Sequence, residues 1–90
     1  MTVSETEARL KKLRMRSWRR GMKEMDLILG PYADQALSQF SAAQLDAYED
    51  LLNENDQDLY LWVTGAQPAP AELIPMLTQI ADASGLNRSR

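Results

Sequence analysis

The sequence predicts an all-α fold, a small compact bundle of about five helices, on three observations. Apolar residues recur at intervals of three and four along most of the chain, which is the spacing of one helix face. The segments so defined are short and are separated by turn residues such as Gly, Pro and Asn. No stretch alternates apolar and polar residues as a half-buried strand does. The 90 residues predict a single domain over 1–90, with an ordered core at about 6–84 and frayed ends at 1–5 and 86–90.

The first helix is expected over residues 5–20, and it carries a basic stripe. Six bases in or just after it fall within a sector of about 100° on a helix: Arg9, Lys12, Arg16, Arg19, Arg20 and Lys23. Charge is segregated along the whole chain, since residues 1–23 contain eight bases and two acids, whereas residues 24–87 contain eleven acids and no base. A basic stripe on such an acidic domain either folds back onto the acids or faces an acidic partner.

Gly21 is expected to end this helix as the glycine just beyond its last turn. Because glycine has no Cβ, it also lets another backbone approach closely. Arg20 and Glu24 would pair on one face if the helix continued through Gly21, and would point outward if the chain turned there. In the second case an Arg fork and a carboxylate stand beside a bare backbone, which predicts a contact surface for a partner protein.

Four more helices are expected downstream. Apolar spacing predicts one bent helix over 22–39, kinked at Gly30-Pro31, with this inner face: Met22, Met25, Leu29, Tyr32, Ala36 and Phe40. A capping box at Ser41 to Gln44 begins the third helix, over 42–53. Asp56 is the expected N-cap of a short fourth helix that Gly65 closes. The regular part of the fifth helix is expected from about residue 74, because of Pro75, and Gly85 ends it.

The composition favours a binding module over an enzyme. The chain has no His and no Cys, so it lacks the usual general base, the thiolate nucleophile and the common zinc ligands. The run from Asn53 to Gln57 lacks the Gly and Glu of a calcium loop. We therefore expect no catalytic residue, no metal and no tightly bound cofactor. No apolar run approaches a membrane span, and the acid-containing first seven residues are not typical of a transit peptide, so a cytoplasmic protein is expected.

The pentad Arg20-Gly21-x-x-Glu24 is one of several blocks that occur in order over roughly residues 8–83. The other blocks are Arg19 to Asp26 around the pentad, Pro31 followed by an aromatic residue, Leu37-Ser38, Leu51-Leu52, and Asp56-x-Asp58-Leu59-x-x-Trp62. Together they resemble the small assembly factors of the SdhE type, which help the flavoprotein subunits of succinate dehydrogenase and fumarate reductase acquire covalent FAD. Gly30 departs from the family, in which a larger residue is common at this position, and Pro75 lies in what is a regular helix elsewhere.

The resemblance implies that the chain binds the flavoprotein subunit of succinate dehydrogenase or fumarate reductase and acts on the attachment of FAD to that client. The partner-binding residues expected from the motif and its neighbours are Arg20, Gly21, Glu24, Arg19, Trp18, Lys23 and Asp26. A monomer is expected, with no membrane insertion and no nucleic acid. The alternative is a small nucleic-acid-binding or antitoxin-like module that uses the basic stripe from Arg9 to Lys23, with Trp18 stacked on a base.

Overall fold

A computed structural model describes residues 4–86, and this part of the chain contains five α-helices and no strand. The helices are α1 (Glu5–Trp18), α2 (Lys23–Ala36), α3 (Ala42–Leu52), α4 (Asp56–Val63) and α5 (Ile74–Ala83), with 3₁₀ turns at Leu37–Gln39 and Ala71–Leu73. The predicted all-α class with five helices is confirmed. Of the ends expected to fray, residues 1–3 and 87–90 lie outside the described residues, while Ser4 and Glu5 form the start of α1.

A capping box begins α1. The amide of Glu7 donates to Ser4 Oγ at 3.0 Å, and the amide of Ser4 donates to the Glu7 carboxylate at 3.4 Å. The helix packs mainly against α2. It ends at Trp18, two residues earlier than predicted, because Arg19 has a non-helical backbone with φ −125° and ψ 51°.

Gly21 lies in the bend between α1 and α2 without adopting the left-handed conformation of a helix-ending glycine. In residues 4–86, positive φ angles occur at Gly65 (81°) and Gly85 (76°), which follow α4 and α5 as predicted. The prediction that Gly21 caps α1 is wrong, because contacts from elsewhere in the fold hold the chain here. Its amide donates to Asp56 Oδ2 at 2.7 Å.

In place of the bent helix predicted over 22–39, the structure has α2, which continues through Pro31, followed directly by the first 3₁₀ turn. Gly30 has a packing role in this helix. An ideal Cβ on Gly30 would lie 2.3 and 2.5 Å from ring carbons of Trp18, far inside van der Waals contact. The absence of a Cβ is therefore what lets the indole lie against α2, and it explains why a larger residue does not fit here.

The start of α4 differs from the prediction by one residue. Asn55, not Asp56, is the N-cap, since its Oδ1 accepts hydrogen bonds from the amides of Gln57 at 2.8 Å and Asp58 at 3.4 Å. Asp56 is the first helical residue, and its carboxylate points to the bend before α2 instead. The other two starts are as predicted: Ser41 and Gln44 form the capping box of α3, and Pro75 lies in the first turn of α5.

The core of the described residues draws side chains from all five helices: Leu13, Met25, Leu29, Tyr32, Ala33, Leu37, Leu45, Tyr48, Leu51, Leu52, Leu59, Val63, Leu73, Met76, Leu77, Ile80 and Ala81. The rings of Tyr32, Phe40 and Tyr48 pack together with centroids 6.0 to 6.3 Å apart. Ser17 donates its single proton to the Leu13 carbonyl at 2.8 Å, so Tyr48 donates to Ser17 Oγ at 2.6 Å. Burial raises the pKa of Tyr48 to about 12.

Candidate partner-binding site

The segment that joins α1 to α2, residues 19–22, is called the motif loop here because it contains the start of the pentad. Two side chains hold its backbone. The amide of Arg20 donates to Asp26 Oδ1 at 2.6 Å, and the amide of Gly21 donates to Asp56 Oδ2 at 2.7 Å. The first turn of α2 and the first turn of α4 thus fix the loop between them.

The side chain of Arg20 points into the protein, and 10% of it is exposed. Its Nε donates to Asp56 Oδ1 at 2.5 Å, and its two terminal nitrogens donate to the carbonyls of Leu52 at 2.7 Å and Glu54 at 2.9 Å. These carbonyls belong to the end of α3 and the turn after it, where helix carbonyls lack partners and a cation is favourable. The outward-pointing Arg20 considered from the sequence is therefore not observed, and no pair with Glu24 forms.

Asp56 is the residue that connects the two halves of this arrangement. One carboxylate oxygen binds the Arg20 guanidinium and the other binds the Gly21 amide, and 18% of the side chain is exposed. Charge-assisted hydrogen bonds are stronger than hydrogen bonds between neutral groups, and these ones are largely shielded from solvent. The sequence assigned Asp56 to a helix cap and missed this role, although its place in the family-like block with Asp58 and Leu59 was an available signal.

Five of the seven expected partner-binding residues are exposed, and the other two, Arg20 and Asp26, are partly buried. The exposed ones are Trp18, Arg19, Gly21, Lys23 and Glu24. Among the described residues, no ion pair forms at Arg19, Lys23 or Glu24. The loop and the first turn of α2 thus present two cations and one carboxylate around the side-chain-free backbone of Gly21, a surface suited to recognising polar groups on another protein.

Trp18 has both a buried and an exposed side. One face of its ring covers Gly30, and its indole N–H donates to Asp34 Oδ2 at 3.1 Å, while 41% of the residue stays exposed. These contacts anchor the end of α1 to the middle of α2. Stacking of Trp18 on a nucleic-acid base, as the alternative function requires, is restricted to the ring face that Gly30 does not cover.

The basic stripe of α1 divides into two sets. Arg9 donates to Asp46 at 2.6 Å and Glu49 at 3.0 Å, and these hydrogen bonds raise the pKa of Arg9. Arg16 donates to Asn53 at 2.9 Å and lies 3.9 Å from Glu49. These arginines fold back onto α3 and its end, as Arg20 does. The other bases have no acidic partner in the part of the chain described: Lys11, Lys12, Arg14, Arg19 and Lys23.

Residues 4–86 contain no group of three or more His, Cys, Asp or Glu side chains that could hold a metal ion. None of the helices has the length and apolar character needed to cross a membrane. What the motif loop offers chemically is charge, hydrogen bonds and a bare backbone, which are the elements of recognition.

Comparison with known proteins gives the family. Residues 11–84 match the family model described as flavinator of succinate dehydrogenase. The chain belongs to this family. The match covers the motif loop and all helices after α1, so the resemblance to assembly factors inferred from the sequence blocks is confirmed.

Individual relatives agree with this family. Succinate dehydrogenase assembly factor 2-B, mitochondrial, of Drosophila mojavensis is 43% identical over 68 residues, which cover 73% of this chain and 43% of the relative. Factor 2-A of Drosophila yakuba is 37% identical over 93% of this chain and 56% of its own length. Factor 2-B of Drosophila persimilis is 40% identical over 81% and 50%, respectively. The chain thus spans about half the length of these relatives. Their names describe assembly, in agreement with the expectation that the chain is not an enzyme.

These relatives correct one expectation. The first seven residues were interpreted as those of a cytoplasmic protein, but all three relatives are named as mitochondrial. The family comparison points to mitochondria, so the cytoplasmic prediction is wrong. It relied on local composition, which carries little information about compartment compared with relatedness over most of the chain.

Proposed function

We propose that this protein is an assembly factor that binds the flavoprotein subunit of succinate dehydrogenase and promotes the covalent attachment of FAD to it. The match to the flavinator family over residues 11–84 carries this proposal. The sequence resemblance also implies the flavoprotein subunit of fumarate reductase as a second client. The chain holds no tightly bound cofactor of its own, and FAD belongs to the client.

The exposed part of the motif loop, together with Glu24 in the first turn of α2, is the proposed docking site. Arg20 acts from within, because its three side-chain hydrogen bonds fix the loop on α3 and α4. Gly21 and Glu24 are exposed and present the contact surface. In this arrangement Arg20 fixes the shape of the surface, and Gly21 and Glu24 contact the partner.

The chemistry belongs to the client. Attachment of FAD requires the flavin ring to be held close to the histidine that becomes bonded to it, with developing charge on the ring stabilised by fixed donors. A small helical protein promotes this by binding the client conformation in which these groups are aligned, which raises the population of that conformation. No reacting group is needed from the assembly factor itself.

The test is covalent flavin fluorescence of the denatured flavoprotein subunit from cells with this gene, without it, and with Gly21→Arg in its place. Gly21 has no positive φ, and a Cβ there would lie 3.4 Å from Asp56 Oδ2, an ordinary contact, so the variant is expected to fold. Its long side chain should block docking and abolish flavinylation. Ala66→Arg, which adds the same side chain at an exposed position after α4, is the matched control and should support normal flavinylation.

Two results would contradict the proposal at different levels. Covalent flavin that does not change when the gene is absent would reject the assembly function. Normal flavinylation by Gly21→Arg would leave the function standing and reject the motif loop as the docking site.

A further inference from the structure

One face of α1 points away from the bundle and is lined by Ala8, Lys11, Lys12, Met15 and Arg19, together with Arg16, whose guanidinium bonds to Asn53. These residues border a shallow open groove of about 670 Å³ along the helix. We call the first five residues the outer face of α1. It carries three cations and no acid, so its electrostatic character is uniform.

The three cations of the outer face differ from two of the arginines of α1. Arg9 and Arg16 bond to acids or an amide on α3 and the residue after it, whereas Lys11, Lys12 and Arg19 have no acidic partner in the described part of the chain. The protein has acids enough for all of them, because eleven lie between residues 24 and 87. The fold therefore pairs the basic side chains on one side of α1 and leaves those on the other side available to acidic groups of another molecule.

The centre of the outer face is apolar. Met15 is 46% exposed and lies between the cations, with Ala8 about two turns before it on the same face. A flexible thioether surrounded by long basic side chains is a surface that adapts to a partner's apolar side chain. A partner that matches this face carries carboxylates around at least one apolar residue.

Two observations favour an acidic protein segment over nucleic acid. A phosphate backbone offers nothing to cover Met15, and it needs an extended array of cations, whereas three are available on this face. The aromatic residue nearest to it, Trp18, has one ring face on Gly30 and its indole N–H bonded to Asp34.

We infer that the outer face of α1 binds an acidic segment of the flavoprotein subunit, with carboxylates paired to Lys11, Lys12 and Arg19 and an apolar side chain packed on Met15. This inference rests on the proposed function. It adds a second contact region next to the first, since Arg19 belongs both to the outer face and to the motif loop. Steering by these charges would speed association, while the motif loop would determine where the protein docks.

The experiment measures the affinity of the purified protein for the purified succinate dehydrogenase flavoprotein subunit over a range of salt concentrations. Lys11→Glu, Lys12→Glu and Arg19→Glu together should weaken binding by at least about tenfold at low salt and remove most of its salt dependence. Met15→Ala should weaken binding by about fivefold with an unchanged salt slope.

A control matches the kind of change without touching the outer face. Gln39→Glu, Gln67→Glu and Thr78→Glu together add three negative charges at exposed positions elsewhere, against a change of six units in the triple reversal. At about 0.15 M salt, where the Debye length is about 8 Å, they should leave the affinity within about twofold. Circular dichroism and urea unfolding of each variant establish that the fold is retained.

The outcomes separate the inference from the proposed function. A wild-type protein that does not bind the flavoprotein at all rejects the proposed function. If the wild-type protein binds the flavoprotein and the three charge reversals leave that affinity unchanged, the outer face of α1 is rejected as a contact region. A labelled oligonucleotide serves as a third probe, and salt-sensitive binding to it that the reversals abolish, with flavoprotein binding unchanged, would overturn the assignment of the partner.

Discussion

Asp56→Ala tests the claim that the pentad arginine works from inside the protein. The substitution removes two hydrogen bonds, one from the Arg20 guanidinium and one from the Gly21 amide. Because 10% and 18% of the two charged side chains are exposed, solvent screens their interaction only partly. Hydrogen bonds to charged groups contribute about 1.5–3 kcal/mol each, but the Gly21 amide can turn to water, so we expect a loss of about 2–4 kcal/mol in the free energy of unfolding.

Asp58→Ala is the matched control for this variant. Asp58 is another acid in the first turn of α4, and it is exposed without a side-chain bond among the described residues. Both variants lose the favourable interaction of an acid with the helix amino terminus, worth about 0.3–1 kcal/mol. The difference between them therefore isolates the contact with the motif loop.

Urea unfolding followed by circular dichroism gives the free energies, with Arg20→Ala and the double variant completing a thermodynamic cycle. A strong positive coupling between Asp56 and Arg20 is expected. If Asp56→Ala and Asp58→Ala differ by less than about 0.5 kcal/mol, within the additivity error of such cycles, the inward role of Arg20 is refuted and its importance must lie in a partner.

Two further perturbations test the packing around this site. Gly30→Ala should displace the Trp18 ring, at a cost of about 1–3 kcal/mol that exceeds the gain of about 1 kcal/mol in helix propensity. A red-shifted Trp18 emission in a Trp62→Phe background would show the displacement. A more stable protein with unchanged emission would contradict the packing role of Gly30. Tyr48, whose pKa is raised to about 12, stabilises the fold fully below its unfolded pKa of about 10 and loses that contribution as the pH rises to about 12. The free energy of unfolding measured in urea should therefore fall by about 1.4 kcal/mol between pH 9 and 11 because of Tyr48. Tyr48→Phe should reduce this pH dependence. An equal pH dependence in both proteins would contradict the raised pKa of Tyr48.

The segregation of charge has a mixed outcome that only packing explains. The sequence left open whether the basic stripe folds back onto the acids or faces a partner, and both occur on the same helix. Arg9 and Arg16 face α3, and Lys11 and Lys12 do not. Leu13 and Ser17, the buried residues of α1, determine which side of the helix contacts the bundle. Whether a basic side chain reaches an acid of α3 then depends on its angular position around the helix relative to these two residues.

Packing also decides the role of Arg20 in the pentad. Gly21 and Glu24 are exposed as the docking hypothesis requires, and this part remains a proposal. Arg20 was placed beside them because of spacing in sequence, yet in the structure its partners are the carbonyls that end α3 and a carboxylate that begins α4. Nothing in a five-residue pattern distinguishes an arginine that holds a loop from one that holds a partner.

Elements that depend on a single residue or on neighbours within one or two helical turns follow from the residue types alone. The capping box at Ser41 joins residues three apart, while the closing glycines at residues 65 and 85 and the place of Pro75 follow from the backbone preferences of Gly and Pro. The tertiary structure decided the contacts that bridge long separations, such as Arg20 with Asp56 over 36 residues and Trp18 with Asp34 over 16. Each of those polar groups could have bonded to water or to another partner, and the choice was made by the packing of the helices that carry them.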